Sequence, residues 1–94
     1  MNEKDIVELL KANGFEKQED MDGEKFVLHL SGDEIVAVIR ESRVDVETWL
    51  MGECVLIANI GEGGRGDISL TYSKKNLQTA IEAAKNVLED VGEW

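Results

Sequence analysis

The chain is predicted to be α+β: an antiparallel, meander-like sheet of five or six strands with the N- and C-terminal helices packed on one of its faces. Three observations predict this. Apolar residues recur at helical spacing only near the two ends of the chain. Between them, from Phe15 to Tyr72, short runs alternate apolar and polar residues with period two. The chain has 9 glycines and no proline, so glycine punctuates those runs. At 94 residues this is one α+β domain, 1–94, and its 43 % hydrophobic content suffices for a single modest core.

The first helix should run from Glu3 to Asn13. Asn2 is its N-cap, and Glu3 and Asp5 suit the positive end of the helix dipole. Ile6, Leu9, Leu10 and Asn13 share a face, flanked by Val7, and Gly14 is the stop. A weak strand, Phe15 to Met21, leads to a hairpin signal at Asp22-Gly23. Lys25 to Leu30 is a stronger strand. Gly32-Asp33 turns into Ile35 to Glu41, and Ser42-Arg43 turns into Val44 to Leu50. Met51-Gly52 leads to Glu53 to Ile60, Gly61 to Gly66 is a flexible loop, and Asp67 to Tyr72 is the last strand. In the second helix Ser73 is the N-cap. Leu77, Ala80, Ile81, Ala84, Val87, Leu88 and Val91 then form one apolar stripe before Gly92. Lys74 and Lys75 sit at that helix's N-terminus, where the dipole disfavours cations, and the sequence offers no reason for them.

Pairing across Gly32-Asp33 sets Phe26, Leu28 and Leu30 beside Ile39, Ala37 and Ile35, facing the helices. Val27, His29, Val36 and Val38 fall on the opposite face. In the next hairpin Val46 and Thr48 pair with Ile57 and Val55. This leaves Asp45, Glu47 and Trp49 beside Ala58, Leu56 and Cys54 on the second face. A face turned to plain water would alternate more sharply. The mixture predicts either a register one residue off or an exposed, semi-apolar interface with Trp49 as its anchor.

The chain carries 20 Asp+Glu against 10 Lys+Arg, a formal net charge of −10. That balance excludes direct nucleic-acid binding and attraction to anionic membrane, and favours basic protein surfaces. The charge concentrates in the hairpins. Asp20, Asp22, Glu24, Asp33 and Glu34 lie in one acidic stretch, and Asp45 and Glu47 in another. One cysteine, Cys54, precludes an intrachain disulfide, and a reducing compartment is expected. No apolar run approaches the length of a membrane span or signal core, so a cytoplasmic setting is expected (a host cytoplasm if the gene is phage-borne).

The motifs with chemistry fail on context. Gly61-Glu62-Gly63-Gly64-Arg65-Gly66 matches G-x-G-x-x-G, but a strand-like run follows where a dinucleotide site needs a helix, and Glu62 repels phosphate. Asp67 stands where a P-loop needs Lys. Arg65-Gly66-Asp67 spells an adhesion tripeptide, read here as chance. Asp20-Met21-Asp22-Gly23-Glu24 suggests a calcium loop, but Gln18 and His29 occupy the end ligand positions that need carboxylates. His29 and Cys54 form a dyad only if the fold joins them. No carboxylate pair stands out as acid and base. Neither a metal, a cofactor nor catalysis is expected.

The expected function is a non-enzymatic, acidic protein-binding module. It would inhibit by occupying the basic nucleic-acid-binding surface of a nuclease effector, in the manner of small phage anti-CRISPR or anti-restriction proteins. The candidate contacts are Asp20, Asp22, Glu24, Asp33, Glu34, Asp45, Glu47 and Trp49. The alternative is a small structural or accessory protein that dimerises through the second sheet face.

Overall fold

The computed structural model describes residues 2–20, 23–30 and 32–92. Its elements are α1 (Glu3–Ala12), β1 (Glu16–Asp20), β2 (Gly23–Leu30), β3 (Asp33–Ile39), β4 (Arg43–Leu50), β5 (Glu53–Gly61), β6 (Ile68–Leu70) and α2 (Lys74–Gly92). The class is α+β. The six strands form one sheet in the order β1-β2-β3-β4-β5-β6, and the first five pair antiparallel.

The last strand departs from expectation. β6 is short and runs parallel to β5, with Ala58 opposite Ile68 and Ile60 opposite Leu70. A parallel neighbour requires the chain to travel back along the strand it has just left, usually over a dozen or more residues. Here the return is made by residues 62–67 alone. Glycine makes so tight a return feasible. Gly61 has φ +126, and a Cβ there would strike the Ser42 carbonyl across the β4 edge.

Three connections lie one residue earlier than expected. Leu30 faces Asp33, so Gly32 belongs to the β2–β3 turn and Asp33 to β3; Ser31 lies outside the described residues. The Arg40 amide donates to the Arg43 carbonyl at 2.7 Å, so the next turn is Glu41-Ser42. Moving a two-residue turn by one position shifts its partners by two. Phe26 therefore meets Ala37 and Leu28 meets Ile35, with both still on the helix face. The expected Asp22-Gly23 turn is displaced likewise, since Gly23 is already in β2 opposite Asp20; Met21 and Asp22 lie outside the described residues. The Met51-Gly52 turn is as expected, with φ +51 and +83, the pair of positive values that a type I′ hairpin needs.

A β-bulge between Thr48 and Trp49 overturns the expected β4–β5 pairing. Trp49 faces Cys54 as expected, but Thr48 then faces Leu56, Val46 faces Ala58 and Glu47 faces Ile57. The extra residue, Val55, flips the rest of β5. Leu56, Ala58 and Ile60 consequently join the helix face, and Ile57 and Asn59 the other.

Both helices contribute to one buried cluster with the sheet. Ile6 and Leu10 of α1 and Leu77, Ala80, Ile81, Ala84 and Leu88 of α2 pack with Phe26, Ile35, Val44, Val46, Ala58 and Ile60. Each large side chain so buried contributes about 1.5–3 kcal/mol. The side chain of Val91 lies outside what is described. Asn2 caps α1 by accepting from the Asp5 amide at 2.9 Å, and Ser73 caps α2 by accepting from the Asn76 amide at 3.1 Å. Asn13, expected on the apolar face, instead exchanges two amide hydrogen bonds with Gln78 at 2.8 and 3.1 Å, tying the end of α1 to α2. The structure also supplies a reason for Lys74: its Nζ lies 3.6 Å from Asp5 in the first turn of α1. No helix among the described residues is long and apolar enough to cross a membrane.

Candidate functional site

The strand positions that alternate with those of the helix-containing cluster form a second face of the sheet, assembled from cross-strand rows. Glu16, Val27, Val36, Glu47 and Ile57 form one row. Gln18, Lys25, Val38, Asp45 and Asn59 form the next, and His29, Glu34, Trp49 and Cys54 a third. Val27 and Val36 are buried at 1 % and 3 % exposure although they lie outside the main cluster.

The acidic candidates fall into three groups. Glu34, Glu47 and Trp49 come together on this face. The Trp49 indole Nε1 donates to Glu47 Oε1 at 3.1 Å, and Glu34 Oε2 lies 3.5 Å from His29 Nδ1. All three are half-buried. Asp20 ends β1 opposite Gly23, at a backbone position in register with this face, and Asp22 lies outside the described residues.

Asp33 and Asp45 form a second group, buried at 5 % and 8 % exposure and occupied structurally. Asp33 Oδ1 accepts the Met51 amide at 3.2 Å and so fastens the β2–β3 turn to the β4–β5 turn. Asp45 takes Arg43 Nε at 2.8 Å and Arg40 Nε at 3.5 Å. The Asn59 amide, oriented by its neighbours, donates to Asp45 Oδ1 at 2.8 Å and accepts from the Gly66 N–H at 2.6 Å. Asp45 is thereby the centre of a polar cluster that holds the glycine-rich loop. Gly64 packs directly on the Asn59 side chain, where a Cβ would overlap it. The Asp67 amide donates to the Ile57 carbonyl at 2.8 Å, and the Ile57 amide returns a bond to Asp67 Oδ2 at 3.1 Å. The loop expected to be flexible is thus docked over Asn59.

Glu24 stands by itself. It lies on the helix face, opposite Ile39, with Oε1 4.0 Å from Lys17 Nζ. Its closest functional relation is to Glu3 of α1. A hydrogen bond between the two carboxyls, reinforced by the Glu24 charge, holds Glu3 above the ordinary carboxyl range. This carboxylate pair was invisible in sequence because its members meet only where α1 crosses β2.

Other chemistries find little support in the geometry. His29 and Cys54 share a row but stand three strands apart, roughly 14 Å at the usual strand spacing. Burial and then the Glu47 charge raise the Cys54 thiol, opposite to what a nucleophilic thiolate needs. The residues after the glycine-rich loop form a strand, so no helix N-terminus opens there for a phosphate. Among the described residues, no cluster of three or more His, Cys, Asp or Glu side chains is placed to hold a metal ion.

Sequence reasoning missed Arg43, Asn59 and Ile57 as shapers of this face. Arg43 and Asp45 at i and i+2 on one strand were a readable signal, as was a lone Asn inside the run Val55 to Ile60. Comparison of the chain with protein-family models, with curated proteins and with solved structures finds no match.

Proposed function

We propose that this protein is a non-enzymatic, acidic binding module that occupies the basic, nucleic-acid-binding surface of another protein, with a nuclease effector as the favoured target. The observation that carries this reading is the cluster of Trp49, Glu47 and Glu34 on the second face of the sheet. A half-exposed Trp ringed by carboxylates is suited to anchor a partner whose rim is cationic. Arg40 and Arg43 are engaged by Asp45, and the whole chain carries −10. A cytoplasmic setting, inside a host cell if the gene is phage-borne, suits such an inhibitor.

A second reading, dimerisation through the same face, is favoured by Val55, 39 % exposed, beside the half-buried Ile57. Salt separates the two. Binding to a basic partner weakens as ionic strength rises, whereas two chains of like charge associate more readily when screened. The test measures capture of purified nucleic-acid-binding proteins, and sedimentation of the chain itself, across a salt series. Self-association that strengthens with salt, with no capture at low salt, would refute the inhibitor reading.

A further inference from the structure

The two edges of the sheet differ in character. β1 and β6 end the strand order, so among the described residues no strand pairs with the outer side of either. Most of β1 is charged, with Glu16, Lys17, Glu19 and Asp20 in a strand of 5 residues, and charge along an edge is a common guard against pairing with another chain. β6, Ile68-Ser69-Leu70, has no charged residue, and neither have Thr71, Tyr72 and Ser73 after it. A cleft of about 390 Å³, lined by Leu70, Thr71 and Tyr72, adjoins this end of the strand.

The phase of the β5–β6 pairing decides which backbone groups face outward. The Asp67 amide donates to the Ile57 carbonyl, so Asp67 and Ser69 turn their backbone groups toward β5, and Ile68 and Leu70 turn theirs away. A second β6 laid antiparallel on this edge meets all of those outward groups in one register. Ile68 then lies opposite Leu70 of the other copy, and a two-fold axis passes between the two Ser69 residues. Charge agrees with this direction. Glu62, Arg65 and Asp67 precede the strand with a balance of −1, and Lys74 and Lys75 follow it with +2. Lys74 is shared with Asp5, and Lys75 is exposed. Antiparallel pairing sets the acidic end of one copy beside the basic end of the other, whereas parallel pairing matches like with like. Residues 62–75 thus sum to +1 in a chain that carries −10, so two copies meet here with little repulsion.

We propose that the outer edge of β6 is a self-recognition site, through which two copies of the chain pair antiparallel over Ile68 to Leu70. Their sheets join into one, with the second faces of both copies on the same side. This pairing is separate from whatever the second face binds, and it presents that face twice. The short strand keeps the buried area at the low end for specific interfaces, below about 1,200 Å², so the dimer is weak and reversible.

Two cysteine variants of the full chain test the register, each in a Cys54→Ser background that removes the natural thiol. Ser69 and Thr71 are both exposed. Across the two-fold axis Ser69 meets its mate in a non-hydrogen-bonded pair, with Cα atoms about 4.5 Å apart, within the span of a disulfide. Thr71 faces Asp67 of the other copy and stands about 14 Å from its own mate. Under mild oxidation Ser69→Cys should form a disulfide dimer at least about tenfold faster than Thr71→Cys. Sedimentation of the parent chain at rising concentration should show monomer passing toward dimer. Ser69→Lys sets like charges opposite each other and should weaken that dimer about fivefold, while Val55→Lys, at the exposed residue of the β5 bulge, should leave it within about twofold. All variants are checked for native circular dichroism. Equal cross-linking of the two cysteines, a parent that is monomeric at every concentration, or loss of the dimer with Val55→Lys but not with Ser69→Lys overturns the proposal.

Discussion

Asp45 and Glu47 lie two residues apart on one strand, and the structure predicts opposite consequences for losing each charge. Asp45→Asn keeps the shape of the side chain and removes its charge. The Asp45 side chain is 11 % exposed, that of Arg43 24 % and that of Arg40 46 %. Breaking a fully buried pair costs about 3–5 kcal/mol. Arg43 retains some access to water, and the long, half-exposed Arg40 contact adds little. The expected loss is therefore about 2–4 kcal/mol, a large share of the roughly 5–15 kcal/mol available to a small domain. Glu47→Gln sacrifices at most part of the Trp49 indole bond, about 0.5–1 kcal/mol. Urea titration with an unchanged m-value measures both losses. In binding assays the order reverses, with Glu47→Lys slowing association and folded Asp45→Asn binding like the parent. Equal losses of stability, or a loss below about 0.5 kcal/mol for Asp45→Asn, would show that Asp45 is an ordinary surface carboxylate.

Three further outcomes are expected. Thr48 is fully buried with its hydroxyl unpartnered among the described residues, so Thr48→Val should raise stability by about 1–2 kcal/mol in urea titration; a neutral or negative result would mean the hydroxyl has found an acceptor. Gly64→Ala should push the loop off Asn59, costing about 1–3 kcal/mol and accelerating hydrogen exchange at the Gly66 amide, and unchanged exchange would contradict the docking. Burial and then the Glu3 charge raise the Tyr72 phenol above its usual 10.0. The unfolded chain therefore loses that proton first, so the contribution is intact below pH 10 and is lost as pH rises through the folded value. Tyr72→Phe should flatten this alkaline decline, and an unaltered decline would assign it elsewhere.

The legible parts of the fold were those governed by local rules. The caps at Asn2 and Ser73, the stripe from Leu77 to Leu88 and the positive-φ turn at Met51-Gly52 each follow from a few adjacent residues. The misplaced turns around Gly32 and at Glu41-Ser42 left the faces of β2, β3 and β4 intact, since each error moved partners by two. The bulge beside Trp49 did more, because one unpaired residue inverted β5, and nothing in the spacing around Val55 announces it. The parallel β6 was hidden for a similar reason: alternation reports which face a residue takes but says nothing of strand direction. In the site, Trp49, Glu34 and Glu47 were legible from pattern and charge. The burial of Asp33 and Asp45 was not, because it depends on a turn and a loop folding over them from elsewhere in the chain.

The return of residues 62–67 bears on the order in which the molecule assembles. Strands β1 to β5 join neighbours across short turns, so their contacts close small loops and can form early. The glycine-rich segment has no such autonomy. Its docking partner, the Asn59 amide, is held by Asp45 only after β4 and β5 have paired through the bulge. Until then β6 has no strand edge to join, and the chain around the exposed Arg65 is open to a trypsin-like protease. Cleavage at Arg65 during refolding therefore times the final closure of the sheet, and its loss marks the moment the second face acquires its finished shape.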